Sequence, residues 1–240
     1  MTMKYIYGPV HSRRLGNSLG ISTVPYKVCP FDCVYCQLNR TVTLTARRRR
    51  YVEEKMILAE LRDFWRRKPA DSRVDCVTFS GSGEPTLHAG IGRLIRGAKR
   101  ITGLPVVVIT NGALLTQEGV RQDLKDADIV VPSLDAAVQD AFEKVDRPVQ
   151  GLRVAAVIEG LVRFRNAFSG TIWLEVMLVN GVNDAPEHLK ALKAAIARIR
   201  PDKIQLNSPV RPPAHPWVKP LSRAALRAAC RSLGPSCEVV

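Results

Sequence analysis

The sequence contains no run of 18 or more apolar residues, although 46% of its 240 residues are hydrophobic. A bilayer-spanning helix needs about 20 such residues, so we predict no membrane-spanning segment. The first ten residues, MTMKYIYGPV, also lack the apolar core of a signal peptide. We therefore expect a cytoplasmic protein. Internal repeats and low-complexity segments are absent too, which predicts a single domain over residues 1–240, with its core at about 15–210 and a C-terminal loop and helix at 211–240.

Acidic residues are scarce, because 22 Asp and Glu stand against 36 Lys and Arg, which leaves a net charge of +14. The isoelectric point is near 9.9. A basic domain of this kind fits a polyanionic partner such as RNA. The run Arg47–Arg50 precedes a predicted helix, where positive charge opposes the helix dipole. Two interpretations of this run stay open: a patch near the barrel mouth that meets phosphates, and a solvated flank of the helix N-terminus.

Three of the six cysteines, Cys29, Cys33 and Cys36, lie within eight residues at C-x3-C-x2-C spacing, and no fourth follows nearby. Three thiolates can hold three corners of a [4Fe–4S] cluster and leave the fourth iron open to a small molecule. Structural zinc normally has four ligands, so that alternative needs one of four histidines. These are His11, His88, His188 and His215. Free thiols grouped by chance are another alternative, and a disulfide framework is disfavoured at this length.

Strand-like and helix-like segments alternate along the chain. The strand candidates are Leu19–Thr23, Val74–Ser80, Val106–Thr110, Ile129–Ser133, Ile172–Val179 and Ile204–Asn207, and the helical segments are 52–67, 90–101, 116–126, 153–168 and 186–199. Continuous β-branched runs are typical of parallel strands that helices cover on both faces. Such alternation implies right-handed crossovers. We predict an α/β fold, an open (β/α)6 partial TIM barrel, because the chain is short for eight units.

Polar motifs follow the carboxyl ends of the predicted strands. In a parallel sheet these ends lie along one edge, which we call the rim. The cysteine loop follows the first strand, Gly81–Pro85 follows the second, and Thr110–Gly112 ends the third. Ser133 and Asp135, Asn180 and Asn183, and Asn207–Pro209 occupy the ends of the remaining strands. The sequence therefore predicts one concave site on that rim.

The segment CPFDCVYC, which includes Tyr35, resembles the signature of the radical S-adenosylmethionine (SAM) superfamily. The segments YGPVHSRRLGNSLGI, VTFSGSGEPTLH, VVVITNGALL, VVPSLDA, WLEVMLVNGVND and IQLNSPVRPP resemble, in order, a small Fe–S oxidoreductase branch of it. That branch is related to the enzymes that build the tricyclic wyosine base of tRNA, and the likeness covers roughly residues 5–213. It implies a [4Fe–4S] cluster on Cys29, Cys33 and Cys36. It also implies SAM on the open iron, cleaved reductively to a 5′-deoxyadenosyl radical that abstracts hydrogen from a substrate.

The resemblance also implies which residues bind SAM, while no catalytic side chain is assigned. The turn GSGE matches a GGE-like motif, which places Gly83 and Glu84 on the methionine moiety and leaves the role of Ser82 open. Residues at the next strand ends would contact the ribose hydroxyls and carboxylate, while Asn207–Val210 and Tyr35 would border the adenine. The predicted cofactor-binding residues are Tyr35, Gly81, Gly83, Glu84, Thr110, Asn111, Ser133, Asp135 and Asn207. For Asn111–Gly112, a plain turn is an equal alternative.

Three hypotheses for the function follow. The first is a radical SAM enzyme that acts on tRNA or another polyanion. The second is an enzyme that activates a glycyl-radical protein, and the third is a non-catalytic Fe–S electron carrier. The enzymes would need a flavodoxin-type or ferredoxin-type electron donor. A carrier has no need of polar motifs along one rim, which disfavours the third hypothesis.

Several other residues receive structural interpretations. Glu175 interrupts an apolar strand, which predicts a salt bridge with an arginine of the barrel. Cys76 and Cys230 are expected in the core, while Cys237 lies in a terminus that is prone to disorder. The proline-rich segment 211–217 is expected to form a loop across the barrel opening. In that loop Arg211, His215 and Trp217 either contact substrate or, through Trp217, hold the loop to the surface.

Overall fold

The computed structural model describes residues 3–12 and 14–240. The strands are β1 (Ile6–Ser12), β2 (Gly16–Ser22), β3 (Val28–Cys29), β4 (Thr43–Leu44), β5 (Cys76–Ser80), β6 (Val106–Thr110), β7 (Ile129–Pro132), β8 (Thr171–Met177), β9 (Lys203–Asn207) and β10 (Cys237–Val239). The helices are α1 (Glu54–Arg67), α2 (Ile91–Thr102), α3 (Glu118–Asp123), α4 (Gln139–Val145), α5 (Val154–Ala167), α6 (Pro186–Ile199) and α7 (Arg223–Leu233). The predicted domain also includes Met1, Thr2 and Arg13, which lie outside the described residues.

One sheet contains eight of these strands in the order β1-β2-β5-β6-β7-β8-β9-β10. The neighbours from β2 to β10 are parallel, and only β1 runs antiparallel to its neighbour. The six strands predicted from the sequence are β2 and β5–β9. They are adjacent in chain order, and helices connect them. The prediction of an α/β fold around a parallel sheet is therefore confirmed.

Strands β1 and β10 and helix α4 are absent from the sequence prediction. Strand β1 is mostly exposed, and its pairing with β2 is irregular between Tyr7 and Val10, where Gly8 and Pro9 lie. An edge strand tolerates proline at a bulge, because one side of the strand donates no ladder hydrogen bonds. The terminus around Cys237 was expected to be disordered, and it instead pairs with β9. That expectation was wrong because this short segment gains its order from a neighbouring strand.

The two faces of the sheet differ in burial. On β8, Ile172, Leu174 and Val176 are fully buried among the residues of the main core, whereas Trp173 and Glu175 on the opposite face are only partly buried. The inner face holds a small apolar cluster of its own, centred on Cys76, Val107 and Val131. Most of the apolar burial therefore lies between sheet and helices, and the inner face keeps polar side chains.

An ion pair joins the two ends of the sheet across this inner face. Arg14, in the turn between β1 and β2, donates from Nη1 to Glu175 of β8 and to Gln205 of β9, each at 3.0 Å. The predicted salt bridge of Glu175 is confirmed, and Arg14 is its partner. Because residues so distant in sequence meet here, the ion pair couples the first strands to the last ones.

No helix among residues 3–12 and 14–240 is both long and apolar enough to cross a bilayer.

A buried histidine fixes the connection between β5 and α2. His88 is fully buried; its Nε2 donates to the carbonyl of Val52 at 2.8 Å, and its Nδ1 accepts from the backbone N–H of Gly90 at 3.0 Å. These two bonds require the neutral ring, because a protonated Nδ1 cannot accept. Burial lowers the pKa of His88.

We expect this histidine to make the protein less stable in mild acid. Because the pKa of His88 is lower in the folded state, its contribution is complete above the usual histidine pKa and is lost progressively as the pH falls from that value through the lower folded-state pKa. The loss is at most about 1.4 kcal/mol per pH unit for one proton. Denaturant unfolding between pH 7.5 and 5.5 should show a shallower decline for His88→Gln than for the wild type. His11→Gln, at an exposed residue, should keep the wild-type slope, and equal slopes in all three proteins would contradict the assignment.

Candidate functional site

The cysteine loop, residues 23–44, is held on one side by the turn after β5. The backbone N–H of Lys27 donates to the carbonyl of Ser82 at 2.6 Å, and the N–H of Glu84 donates to the carbonyl of Val28 at 3.1 Å. A side chain at Gly83 would collide with that same Val28 carbonyl. Backbone hydrogen bonds from the GSGE turn therefore fix the position of the start of the cysteine loop. Ser82, whose role the sequence left open, contributes its carbonyl oxygen.

The other side of the loop is held by the last residue of α4 and the segment that follows it. The N–H groups of Asp32 and Val34 donate to the carbonyls of Asp146 and Val145 at 3.0 and 2.9 Å. In the reverse direction, Val149 donates to Pro30 at 2.8 Å. Residues 145–149 had no place in the predicted site. They match no motif, and only the folded chain brings them against the cysteines.

The three thiols of the triplet are partly buried, and each has one polar neighbour. The Nδ2 of Asn111 lies 3.4 Å from Cys29 Sγ, and the Nζ of Lys27 lies 3.1 Å from Cys36 Sγ. Cys33 Sγ donates to Asp146 Oδ1 at 3.3 Å.

Burial raises the pKa of Cys29 to about 12 and raises the pKa of Cys33 well above its usual value. These thiols thus keep their protons unless a metal centre displaces them.

The donor set around the triplet fits a [4Fe–4S] cluster better than it fits zinc. Among residues 3–12 and 14–240, no group of three or more His, Cys, Asp or Glu side chains is placed to hold a metal ion. Such a group is what a zinc site needs, with four ligands around one ion. In a cubane each thiolate binds a separate iron, which three thiols of one loop can supply, and two of them, Cys29 and Cys36, face N–H donors. Cys29, Cys33 and Cys36 stay the predicted ligands.

Glu84 lies buried where the turn meets the end of β6. Its Oε1 accepts from the N–H and hydroxyl of Thr86 at 3.0 and 2.6 Å and from the hydroxyl of Thr110 at 2.7 Å. Its Oε2 accepts only from the N–H of Asn111, at 2.8 Å, within the described residues. Burial raises the pKa of Glu84, and these hydrogen bonds oppose that shift. The carboxylate therefore joins the ends of two strands, and Oε2 keeps capacity for one further donor.

Four of the predicted SAM-binding residues surround one small cavity. Its volume is about 10 Å³, room for about one water molecule, so it cannot accommodate a nucleoside. Its polar lining comes from Tyr35, Asn111, Ser133, Asp135 and Asp146. The structure thus brings together residues from the cysteine loop and from the ends of β6 and β7. Their individual contacts to SAM stay predictions.

The buried carboxylate of Asp135 connects Tyr35, which precedes the last cysteine of the triplet, to β8. The hydroxyl of Tyr35 donates to Asp135, whose other oxygen accepts from the N–H of Met177 at 2.8 Å. Burial raises the pKa of Asp135 to about 6. Burial and the charge of Asp135 together raise the pKa of Asp146 well above its usual value. This pair of acids lies next to Cys33, and Asp146 had no predicted role.

Asn207 lies apart from these residues, at the end of β9. Its backbone carbonyl accepts from the N–H of Leu178 at 2.9 Å, and its side chain accepts from the N–H of Ser208. Asn183 is fully buried and connects the segment after β7 to the end of β8, because its side chain donates to the carbonyls of Asp135 and Met177 at 2.7 and 2.8 Å.

Gly81 begins the GSGE turn and has a positive φ of 97°, a conformation that accounts for a glycine at this position.

The loop 211–217 contacts the segment after α4 through His215 and the cysteine loop through Arg211. His215 is buried, and its Nε2 lies 2.8 Å from Nη1 of Arg147, whereas Trp217 remains 51% exposed. Arg211 donates to the side chain of Gln37 at 2.5 Å. The Trp217 ring lies 5.9 Å from the His215 ring, and both interpretations of this loop, substrate contact and attachment through Trp217, stay predictions.

The run Arg47–Arg50 does not form one uniform patch. Arg48 turns inward, pairs with Asp123 at 2.6 Å and donates to the carbonyl of Thr86 at 3.0 Å. Arg50 pairs with Glu54 at 3.5 Å. Only Arg47 and Arg49 of this run are exposed without a carboxylate partner in the described part of the chain, and the guanidinium of Arg49 lies over a tyrosine ring.

Comparison with known proteins agrees with this geometry. Residues 23–192 match the Radical SAM superfamily. The chain is 37% identical to a GTPase Obg of Brachyspira hyodysenteriae over 98% of its own length, and it spans about a third of that relative (34%). It is 35% identical to a UPF0026 protein of Synechocystis over 92% of its length and 79% of the relative. A radical SAM methyltransferase of Sphaerobacter thermophilus has the same fold, with a TM-score of 0.71 at 17% identity over 93% of this chain and 65% of that one.

A partial TIM barrel with three cysteines at the carboxyl end of its first parallel strand defines the class, and the chain belongs to the radical SAM superfamily. Proteins of this superfamily use a [4Fe–4S] cluster and SAM, and they are enzymes. The predicted fold, cofactors and enzyme class are therefore confirmed. The individual contacts to the cluster and SAM stay predictions.

We expect the cysteine triplet to be the iron-binding site. After anaerobic reconstitution, the wild type should hold about four irons and four sulfides per chain. Cys29→Ala, Cys33→Ala and Cys36→Ala should each lose most of both, because one corner of the cluster then has no ligand. Iron and sulfide assays with visible absorption measure this loading. Cys76→Ala, a buried cysteine of the inner sheet face, is the matched control and should load fully. Zinc in the wild type, or full loading of a triplet variant, would contradict the assignment.

Proposed function

We propose that this radical SAM enzyme acts on RNA, with transfer RNA as the substrate class. Cys29, Cys33 and Cys36 would hold the cluster, and the GSGE turn with Tyr35 and the polar strand ends would bind and orient SAM. When bound, the two cofactors supply a 5′-deoxyadenosyl radical by one-electron cleavage of SAM. The protein's own contribution is to fix the loop, to order the rim and to receive the substrate.

The observation that carries this proposal is a group of exposed arginines beside the cysteine loop. The arginine cluster consists of Arg40, Arg147 and Arg211, all exposed. Arg147 and Arg211 contact His215 and Gln37, so both lie at the junction of the cysteine loop with the loop 211–217. None of the three forms a salt bridge within the described residues. Cations without acidic partners are available for phosphates.

Two exposed aromatic side chains belong to the same two loops. Tyr26 is 58% exposed and is anchored by a 2.6 Å hydrogen bond from its hydroxyl to the carbonyl of Leu38, and Trp217 is 51% exposed. Unpaired RNA bases stack on such rings, while arginines bind the phosphates between them. This combination favours a folded RNA with unpaired bases, and it agrees with the resemblance to the wyosine-related branch.

A protein substrate is the second candidate, and one observation favours it. Val42 is 72% exposed and Val210 is 74% exposed, on or beside the same two loops. Apolar side chains at the mouth of a site fit a protein surface, as an enzyme that activates a glycyl-radical protein would require. The net charge of +14 favours RNA over this alternative.

We expect Arg40→Ala/Arg211→Ala to weaken RNA binding and to reduce its salt dependence. With bulk tRNA as the ligand, the slope of log K against log salt should fall by about one for each phosphate that is no longer neutralised, hence by about two. Filter binding at several salt concentrations measures it. The matched control is Arg62→Ala/Arg100→Ala, which removes two exposed charges from α1 and α2.

The same proteins can be tested for turnover. In the reconstituted wild type, tRNA should increase the formation of 5′-deoxyadenosine from SAM, and the arginine variant should need more tRNA for the same increase. Two results would contradict RNA as substrate. One is tRNA binding that is equal in the two double variants, and the other is SAM cleavage that a protein fraction stimulates and tRNA does not.

A further inference from the structure

Lys27 is a buried lysine in an unusual backbone conformation. The residue is 3% exposed and has a φ of 55°, in the left-handed region that residues other than glycine seldom adopt. Its N–H donates to the carbonyl of Ser82, and its carbonyl accepts from the N–H groups of Val42 and Thr43, both at 3.0 Å. Three backbone hydrogen bonds therefore fix the direction in which its side chain leaves the main chain.

The side chain of Lys27 ends at the cysteine triplet. Its Nζ lies 3.1 Å from Cys36 Sγ, and this sulfur is its hydrogen-bond partner within the described residues. One buried cation thus faces one of the three predicted cluster ligands.

A neutral side chain would occupy this buried space with a smaller desolvation penalty than a charged one. Removing an ammonium group from water is unfavourable unless a negative partner compensates. A protonated thiol is a poor partner for an ammonium group, while a thiolate bound to iron is a good one. The position of Lys27 is therefore explained by the cluster-bound state of the loop.

We propose that Lys27 is a positioning residue for electron uptake, which donates a hydrogen bond to the Cys36 sulfur and raises the reduction potential of the cluster. Hydrogen bonds to the sulfurs and nearby net charge set the potentials of iron–sulfur clusters. One electron enters from a low-potential donor of the flavodoxin or ferredoxin class, and no bond or proton changes in that step. The added negative charge is stabilised by the fixed cation. The inference rests on the cysteine triplet and is independent of RNA as the substrate.

The test compares reduction of the reconstituted cluster in Lys27→Met, Lys27→Arg and the wild type, without SAM or RNA. At a fixed viologen poise, followed by EPR and visible absorption, the ratio of reduced to oxidised cluster should be about tenfold lower in Lys27→Met. Tenfold corresponds to about 59 mV for a one-electron couple. Lys27→Arg keeps the charge and should remain within about twofold of the wild type. Lys55→Met, at an exposed residue of α1, is the control for loss of one charge.

Three results would overturn the proposal. The first is a potential in Lys27→Met equal to that of the wild type. The second is an equal shift in Lys27→Arg, since the charge is retained there. The third is a folded Lys27→Met and a folded Lys27→Gln that both fail to hold iron, because Lys27 would then serve cluster assembly and not its potential. If the arginine variant binds tRNA as the control does while the potential shifts as expected, only the RNA proposal is lost.

A second inference rests on a different pair of cysteines. Cys230 of α7 and Cys237 of β10 are partly buried, and their sulfur atoms lie 2.7 Å apart. The sequence placed Cys230 in the core and Cys237 in a disordered end, and neither expectation anticipated this contact. A bonded pair of sulfurs needs an approach of about 2.05 Å, so a small movement suffices.

We infer that Cys230 and Cys237 form a disulfide when a low-molecular-weight disulfide such as oxidised glutathione is present. Two exchange steps convert two protein thiols and one glutathione disulfide into the protein disulfide and two glutathione thiols. The bond would fasten α7 to the edge strand β10, on the far side of β9 from the cysteine triplet.

Peptide mapping tests this inference on the reconstituted protein. After anaerobic incubation with oxidised glutathione and alkylation of free thiols, trypsin cuts after Arg231, between the two cysteines. The peptides that carry Cys230 and Cys237 should be recovered as one linked species that reduction separates. Cys76 should be alkylated as a free thiol, and Cys230→Ser should yield no linked species. Recovery of both cysteines alkylated, or as separate glutathione adducts, would refute it.

Discussion

The cysteine loop depends on hydrogen bonds that other segments make to its backbone. Apart from the two-residue strand β3, paired with the two-residue β4, it has no regular structure of its own. Lys27 and Val28 are held by the GSGE turn, while Asp32 and Val34 are held by the last residue of α4 and the segment that follows it. Because a loop of this length is entropically costly to order, these few bonds decide where three thiols lie. Every other feature of the site presupposes that arrangement.

The polar groups of the rim serve first as internal supports. Glu84 and Asp135 are buried carboxylates that accept hydrogen bonds from backbone and hydroxyl donors of neighbouring strands. Buried charge is tolerated only where such donors compensate for the loss of water. The hydrogen bonds of these two carboxylates are formed within the protein alone and connect the ends of neighbouring strands.

Positive charge is distributed in three ways in this chain. Many arginines of the helices and loops pair with nearby carboxylates, as Arg48 does with Asp123, and these contribute to structure. The arginine cluster beside the cysteine loop lies in solvent, without acidic partners among the described residues. Lys27 is different again, since its charge is buried against sulfur. Positive charge in this chain is thus paired with carboxylates, exposed to solvent or buried against sulfur, and only the first arrangement is explained by the fold alone.

The parallel sheet could be predicted from the sequence, because β-branched runs such as Val106–Ile109 alternate with amphipathic helices and leave few other packings. The family could be predicted too, since the cysteine spacing is a local feature of one short segment. The residues that surround those cysteines could not be predicted from the sequence, because only the folded chain brings them together. Lys27 and Asp146 carry no sequence signal, because their importance arises only when residues distant along the chain meet. The exposed strand β1 escaped prediction for the same reason: its order comes from pairing with β2 and not from its own composition.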